Sequence, residues 1–243
     1  GCHVMTISTS RPAHPFLRKL HALIRYLSED FLGGPRVLKF AWVINFQKAG
    51  TAVFVGLLMW YFQNTSTLAW IYLALHGSYG FCWLLKDITF PDPNWQKRVT
   101  FGGALAAFVL VLGPYWIFPF LLISGIAEGA SLPWVAFAVA LHTLGVAIML
   151  VADAQKFYTL RVQRGLITSG LHKHVRHPNY LGEMMIYASY AIVVWHWLPW
   201  VILAAIWGLL FHTNMRMKEA SMSRYPEWAD YKARTGMILP KLL

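Results

Sequence analysis

Residues Leu132 to Ala152 read LPWVAFAVALHTLGVAIMLVA, an apolar run broken only by His142 and Thr143. A helix needs about 20 apolar residues to cross about 30 Å of hydrocarbon, so this stretch reads as a membrane span. Working outward, the same criterion predicts five more, at Ala41 to Phe62, Leu68 to Leu85, Phe101 to Ser124, Tyr180 to Trp197 and Leu198 to Thr213. The 243-residue chain is 57% hydrophobic, 16% aromatic and 13% charged, which leaves too few charges to cover a soluble domain of that size. A soluble enzyme, a disordered tail and a disulfide scaffold are all excluded. The expected fold is all-α, a polytopic helix bundle forming one integral membrane domain. It divides into an interfacial amino terminus to residue 36, four spans over 37–152 and a carboxyl half over 153–243.

Charge assigns the sidedness. The formal net charge is +11, which in a soluble protein would suggest nucleic acid and here reports topology. Every basic residue except Lys48 falls in four segments that six spans place on one side. These are the amino terminus through Lys39, the Lys86 to Arg98 loop, the Lys156 to Arg176 loop and the tail from Arg216. The opposite loops hold no Lys or Arg and one acid, Glu128. The positive-inside rule then predicts cytoplasmic termini, in a bacterial inner membrane or the endoplasmic reticulum. The expected partners are the bilayer and a membrane lipid, with no nucleic acid and no required protein partner. Gly1 to Arg11 has no signal-peptide pattern. Cys2 and Cys82 cannot build a disulfide framework, and Asn64-Thr65-Ser66 lies too near the bilayer to count as a glycosylation site. Pro15 to Leu32 spaces apolar residues at helical intervals with basic residues between, as in an interfacial amphipathic helix or a helix packed on the bundle.

Polar residues inside a bilayer are costly and each needs a reason. Lys48 lies about two turns into the first span, where snorkelling toward the cytoplasm or packing between helices is expected, with a ligand role the alternative. In the second span His76, Tyr79, Trp83 and Lys86 fall at i, i+3, i+7 and i+10, placing imidazole, phenol, indole and ammonium on one face. Such a face suits either a packed hydrogen-bond ladder or the proton-donating wall of a substrate cavity, with Tyr79 and His76 the candidate catalytic acids. His142 and His212 are expected to be satisfied core histidines. No cluster has metal-ligand spacing.

Between Asp153 and Glu183 the charges Asp153, Lys156, Arg161, Arg164, Lys173 and Arg176 are denser than topology needs. A basic pocket at a membrane surface binds phosphates, lipid headgroups or an anionic cofactor. Pro178 suits a first helical turn, after which Asn179 and Glu183 stack at i, i+4 and Gly182 admits a second backbone or a flat ligand. The tail places Arg216 and Glu219 at i, i+3 and adds Tyr225, Trp228 and Tyr231 before Pro240. It is expected either to lie over the same pocket or to anchor at the interface.

The segment RHPNYLG (Arg176 to Gly182), with the tail from Tyr225 through Tyr231 to Pro240, resembles a membrane superfamily with two chemistries. One branch holds the steroid 5-alpha-reductases and sterol reductases, which use NADPH. The other holds isoprenylcysteine and phospholipid methyltransferases, which use S-adenosylmethionine. Asp153 and Glu183 look like the acids that reductases present to the cofactor. The resemblance implies an oxidoreductase acting on a lipid double bond, with NADPH contacted by Asp153, Arg161, Arg164, Arg176, His177, Asn179, Tyr180 and Glu183. Arg216 and Glu219 would close the site from the tail. Where 5-alpha-reductases carry a Gln-Glu pair, this sequence reads Gln47-Lys48, and GLITSG before RHPNYLG is similar to the methyltransferases. The alternative implied is therefore a lipid methyltransferase using S-adenosylmethionine.

Overall fold

A computed structural model describes residues 10–241, so Cys2 lies outside the described residues. Eight helices are present among them. Helix α1 (Pro15–Glu29) precedes the long helices α2 (Phe40–Tyr61) and α3 (Thr67–Thr89). Then come α4 (Phe101–Ile123), α5 (Leu132–Val162), α6 (Pro178–Val194), α7 (Trp197–Met222) and the short α8 (Trp228–Arg234). Five of these, α2, α3, α4, α5 and α7, are long and apolar enough to cross a membrane. The sixth expected span is α6, with 17 residues. At 1.5 Å per residue it measures about 26 Å, short of the hydrocarbon thickness. It runs down the centre of the bundle, where Ile186, Tyr187, Tyr190, Val193 and Val194 are fully buried.

The all-α expectation needs one small amendment. Strands β1 (Arg36–Lys39) and β2 (Arg98–Thr100) pair antiparallel, with Leu38 opposite Val99 and Lys39 opposite Arg98. They clasp the amino-terminal segment to the loop after α3. Helix α1 packs on the start of α4 and the end of α7, while Phe16, Leu23 and Tyr26 stay exposed beside Arg18, Lys19 and Arg25. Its last turn is tied down through Glu29, whose Oε1 is 2.5 Å from Lys97 Nζ and 3.3 Å from Arg25 Nε. Burial would raise the Glu29 carboxyl, but Lys97 and Arg25 together outweigh it and hold the group below the usual range.

Two glycine crossings set the interior geometry. A Cβ on Gly182 would lie 2.6 Å from the Met149 backbone nitrogen, and one on Gly145 would lie 2.8 Å from the Gly182 carbonyl oxygen. The close approach expected at Gly182 is thus made by the α5 backbone. A Cβ on Gly80 would collide with the Lys48 carbonyl, so α2 and α3 cross where Lys48 enters the bundle. In α4 a π turn over Phe108–Leu112 leads into a 3-10 turn over Gly113–Trp116. Pro114 lies in that tighter turn and has no N–H to give, and Trp116 Nε1 instead donates to Thr51 Oγ1 of α2 at 2.9 Å.

Helix α5 continues ten residues past the predicted end of its span, because Asp153 to Val162 carries on the helix after it leaves the apolar layer. Asp153, Lys156 and Arg161 are therefore helical rather than in a loop. Helix α7 likewise continues to Met222.

Candidate functional site

The polar face predicted on α3 is present and points inward. His76, Tyr79, Trp83 and Lys86 are all buried. Of the alternatives for Lys48, the structure shows the packed one. It does not snorkel; it is 5% exposed, because the glycine crossing aims its side chain into the bundle. There Nζ donates to the hydroxyls of Tyr79, at 3.3 Å, and Tyr187. Nζ lies 4.8 Å from the Tyr79 and Tyr187 ring centroids, 5.0 Å from Trp83 and 5.5 Å from Tyr115. Four aromatic faces thus surround one ammonium, an arrangement stabilised by the ring quadrupoles. Tyr115 stacks on Tyr187 at 4.0 Å, which fixes that wall.

Deeper in the bundle, Tyr72 and His76 share a hydrogen bond of 2.8 Å through Nδ1, and the His76 ring stacks on Tyr190 at 4.1 Å. Tyr190 bonds His142 Nε2 at 3.1 Å, so His142 is a satisfied core histidine. His212 is instead exposed on the outer surface of α7. His76 Nε2 and both amide atoms of Gln47 are buried with no hydrogen-bond partner among the described residues.

Toward the basic face the cofactor-site residues expected from the resemblance divide into three groups. The first is a pocket around Asp153, whose carboxylate pairs with Lys86 Nζ at 2.5 Å. Lys156 and Lys218 are within electrostatic reach of Asp153, Lys86 and Asp92, and Lys218 also of Glu183. Lys218 Nζ donates to Tyr180 at 3.4 Å. Half-buried Glu183 and Asn179 make no side-chain hydrogen bond among the described residues, and Glu183 lies one helical turn before Tyr187. This pocket therefore adjoins the Lys48 box along α6.

The second group is a structural knot. Arg176 Nε donates to Glu219 Oε1 at 2.7 Å, and its second nitrogen donates to the Thr235 carbonyl at 2.5 Å. His177 and Arg216 flank Glu219 at 3.4 and 3.5 Å. The backbone joins in, with Arg176 N donating to Gly236 O at 2.9 Å and His177 N to Met237 O at 3.1 Å. The tail is thereby bound to the 163–177 loop, and Tyr231 donates to the His172 carbonyl at 2.8 Å. Burial lowers His177, against the pull of Glu219, and lowers His172 to about 4 with Lys156 and His177 adding to the effect. The third group, Arg161 and Arg164, is exposed, with Arg161 stacked 4.1 Å over Phe157. Among the described residues no three metal-ligating side chains come together.

Sequence reasoning named Lys156 in the basic segment and Lys48 in the first span without joining them, and it missed Tyr187, Tyr115 and Lys218. The signal available was the spacing of Asn179, Glu183 and Tyr187 at i, i+4, i+8.

A Delta(14)-sterol reductase of Mus musculus is 25% identical over 213 residues, covering 79% of this chain and 44% of that protein. An uncharacterized protein of Schizosaccharomyces pombe is 34% identical over 94 residues, covering 36% of this chain and 27% of its own. The chain thus spans less than half the length of these curated relatives. Residues 95–235, which include Asp153, Lys156, Lys218, the Arg176–Glu219 pair and α6, match a family model over more than half of the chain. The chain belongs to the family described as "Protein of unknown function (DUF1295)", which is related to the steroid 5-alpha-reductase-like proteins.

Proposed function

We propose that this protein is an NADPH-dependent reductase of an electron-poor carbon–carbon double bond in a membrane lipid. The cofactor lies in the basic pocket and the double bond beside Lys48, Tyr79 and Tyr187. The observation that carries this reading is the buried Lys48 ammonium donating to two phenols. Lysine has three donors and no acceptor, so both phenol oxygens accept from it and keep their own hydrogens for a third group. Reduction of a conjugated double bond places negative charge on the far end of the conjugated system. A fixed ammonium with phenolic donors, in a box closed to water, stabilises that charge, and Tyr79 supplies the proton. His76, with Nε2 unpaired beside Tyr79, offers a second polar contact.

The pocket's donors suit the cofactor. Lys156 and Lys218 match a pyrophosphate, Glu183 and Asn179 have free hydrogen-bonding capacity, and exposed Arg161 and Arg164 suit a 2′-phosphate. NADPH bound there would supply the hydride.

A thermal-shift titration of the detergent-purified protein with NADPH, NADH, S-adenosylmethionine and S-adenosylhomocysteine tests the cofactor, because a ligand selective for the folded state raises stability. NADPH should stabilise more than NADH. Tyr79→Phe should then cut NADPH oxidation by about 100-fold or more, the usual scale of a lost acid, with NADPH stabilisation intact. Stabilisation by S-adenosylmethionine instead would overturn the reductase reading in favour of a lipid methyltransferase.

A further inference from the structure

An apolar cleft of about 310 Å³ opens toward the bilayer between α3 and α5, near the basic face. Leu85, Phe90, Leu150, Val151 and Ala154 line it, and Lys86 closes its inner end. The helices stay apart here because, among the described residues, no glycine brings α3 against α5, in contrast to the α2–α3 and α5–α6 crossings. The inner wall is informative. Lys86 Nζ is paired with Asp153 at 2.5 Å and lies 4.0 Å from the Trp83 ring. Lys48 Nζ lies 5.0 Å from the same ring. Lys86 and the Trp83 indole therefore lie between the cleft and the buried Lys48.

A second cleft, of about 490 Å³, lies between α2 and α3. It is larger, but its lining includes no charged side chain, and its floor is sealed where a Cβ on Gly77 would sit 3.3 Å from the Ala52 Cβ. It leads nowhere polar.

We propose that the α3–α5 cleft is the lateral entry site for the lipid substrate. The lipid first places an oxygen-bearing head against Lys86 and its apolar body along Leu85, Leu150 and Val151, and then passes Trp83 to bring its double bond beside Lys48. The occupant is a membrane amphiphile with one hydrogen-bonding head, because the slot offers the Lys86 ammonium at its inner end and, Thr89 apart, otherwise hydrocarbon. Its volume is at the small end of ligand sites, roughly 300–1,000 Å³, so it holds one end of the lipid while the rest stays in the bilayer. This inference deepens the reductase reading and rests on it for the direction of travel.

The test is photolabelling of the full chain in phosphatidylcholine nanodiscs with a diazirine-bearing cholest-4-en-3-one. Adducts should map to 85–90 and 150–154, disappear with excess unlabelled cholest-4-en-3-one, and fall at least fivefold in Val151→Trp and in Ala154→Trp. Adducts elsewhere, or adducts that excess competitor does not remove, would overturn the proposal. Wild-type NADPH oxidation with the small, water-delivered enone 2-cyclohexenone is read in parallel. Saturable labelling of the cleft without NADPH oxidation leaves the lipid site standing and removes the reductase reading. Oxidation of 2-cyclohexenone with labelling elsewhere does the reverse. Equal labelling in both tryptophan variants, each of which faces lipid and leaves the bundle interior untouched, also counts against the cleft.

Discussion

Replacing Glu219 by Ala should release the carboxyl-terminal tail while the bundle stays folded. Glu219 and Arg176 are 4% and 9% exposed, and their 2.7 Å contact is the shortest ionic link between α7 and the 163–177 loop. Truncating one member of a buried pair costs about 3–5 kcal/mol, because the surviving charge keeps its desolvation penalty. Arg176 retains the Thr235 carbonyl at 2.5 Å and a weaker contact to Lys232 O at 3.4 Å, which favours the lower end, about 3 kcal/mol. Arg176 holds the tail through Thr235, and among the described residues the backbone ties there are the few around Val175 and Gly236. The cost therefore falls on a local opening. A loss of about 3 kcal/mol raises the open population about 150-fold. Trypsin cleavage at Lys232 and Arg234 reports that population when reclosing outpaces cutting. Proteolysis in detergent should accelerate by about two orders of magnitude, with little change in the main thermal transition. Cleavage within about threefold of wild type would refute the argument and return Glu219 to the role of a free ligand group.

Three further outcomes follow from the same geometry. Lys48→Met should leave thermal stability unchanged or raise it, since a hydrophobic side chain of similar size replaces a buried charge, while NADPH oxidation is lost; a parallel fall in melting temperature would make Lys48 a structural residue. Gly182→Leu should cost about 3 kcal/mol or more, because the added atoms meet the Met149 nitrogen and Gly145 oxygen, and a well-folded variant on size exclusion would contradict the α5–α6 crossing. Stability should also fall in acid in two stages. His172 and His177 both have lowered folded values, so their stabilisation is complete above about pH 6.5 and is lost as pH falls, for His172 toward pH 4, whereas the Glu29 contribution is lost only below about pH 4.5. Melting temperature against pH should show the first stage in wild type and a smaller one in His172→Gln.

The bundle was legible because its determinants are local. Apolar length marks a span, and basic residues cluster in the gaps. What misled at the ends was equally local: Asp153 to Val162 breaks the apolar run without breaking the helix, so α5 reaches further than its hydropathy. The α3 row of His76, Tyr79, Trp83 and Lys86 could be read from helical spacing alone. Lys48 could not, because what turns it inward is Tyr187, 139 positions away, and Gly80 on the neighbouring helix. The Arg176–Glu219 knot was hidden for the same reason. Each residue suits an anionic ligand equally well in sequence, and only the 43-residue contact between them shows that they satisfy each other. Lys218 was indistinguishable from topogenic charge until α7 brought it near Lys156 of α5.

The sign of the buried charge links the pocket to the box more firmly than residue identity does. Among the described residues, no carboxylate comes within salt-bridge distance of Lys48; its partners are phenols and ring faces. A proton-first reduction of an unactivated double bond would develop positive charge a few ångströms from that ammonium, where low effective dielectric magnifies repulsion. A hydride-first reduction develops negative charge there and is stabilised by the same group. The mouse relative's printed name specifies a sterol reductase, but less than half of that protein is matched here, and the matched stretch does not fix the order of those two steps. The lysine does. With glutamate at position 48 the box would favour the opposite polarity, so Lys48→Glu should fail to restore oxidation of a conjugated enone even though it restores a charged, hydrogen-bonding side chain at the same site.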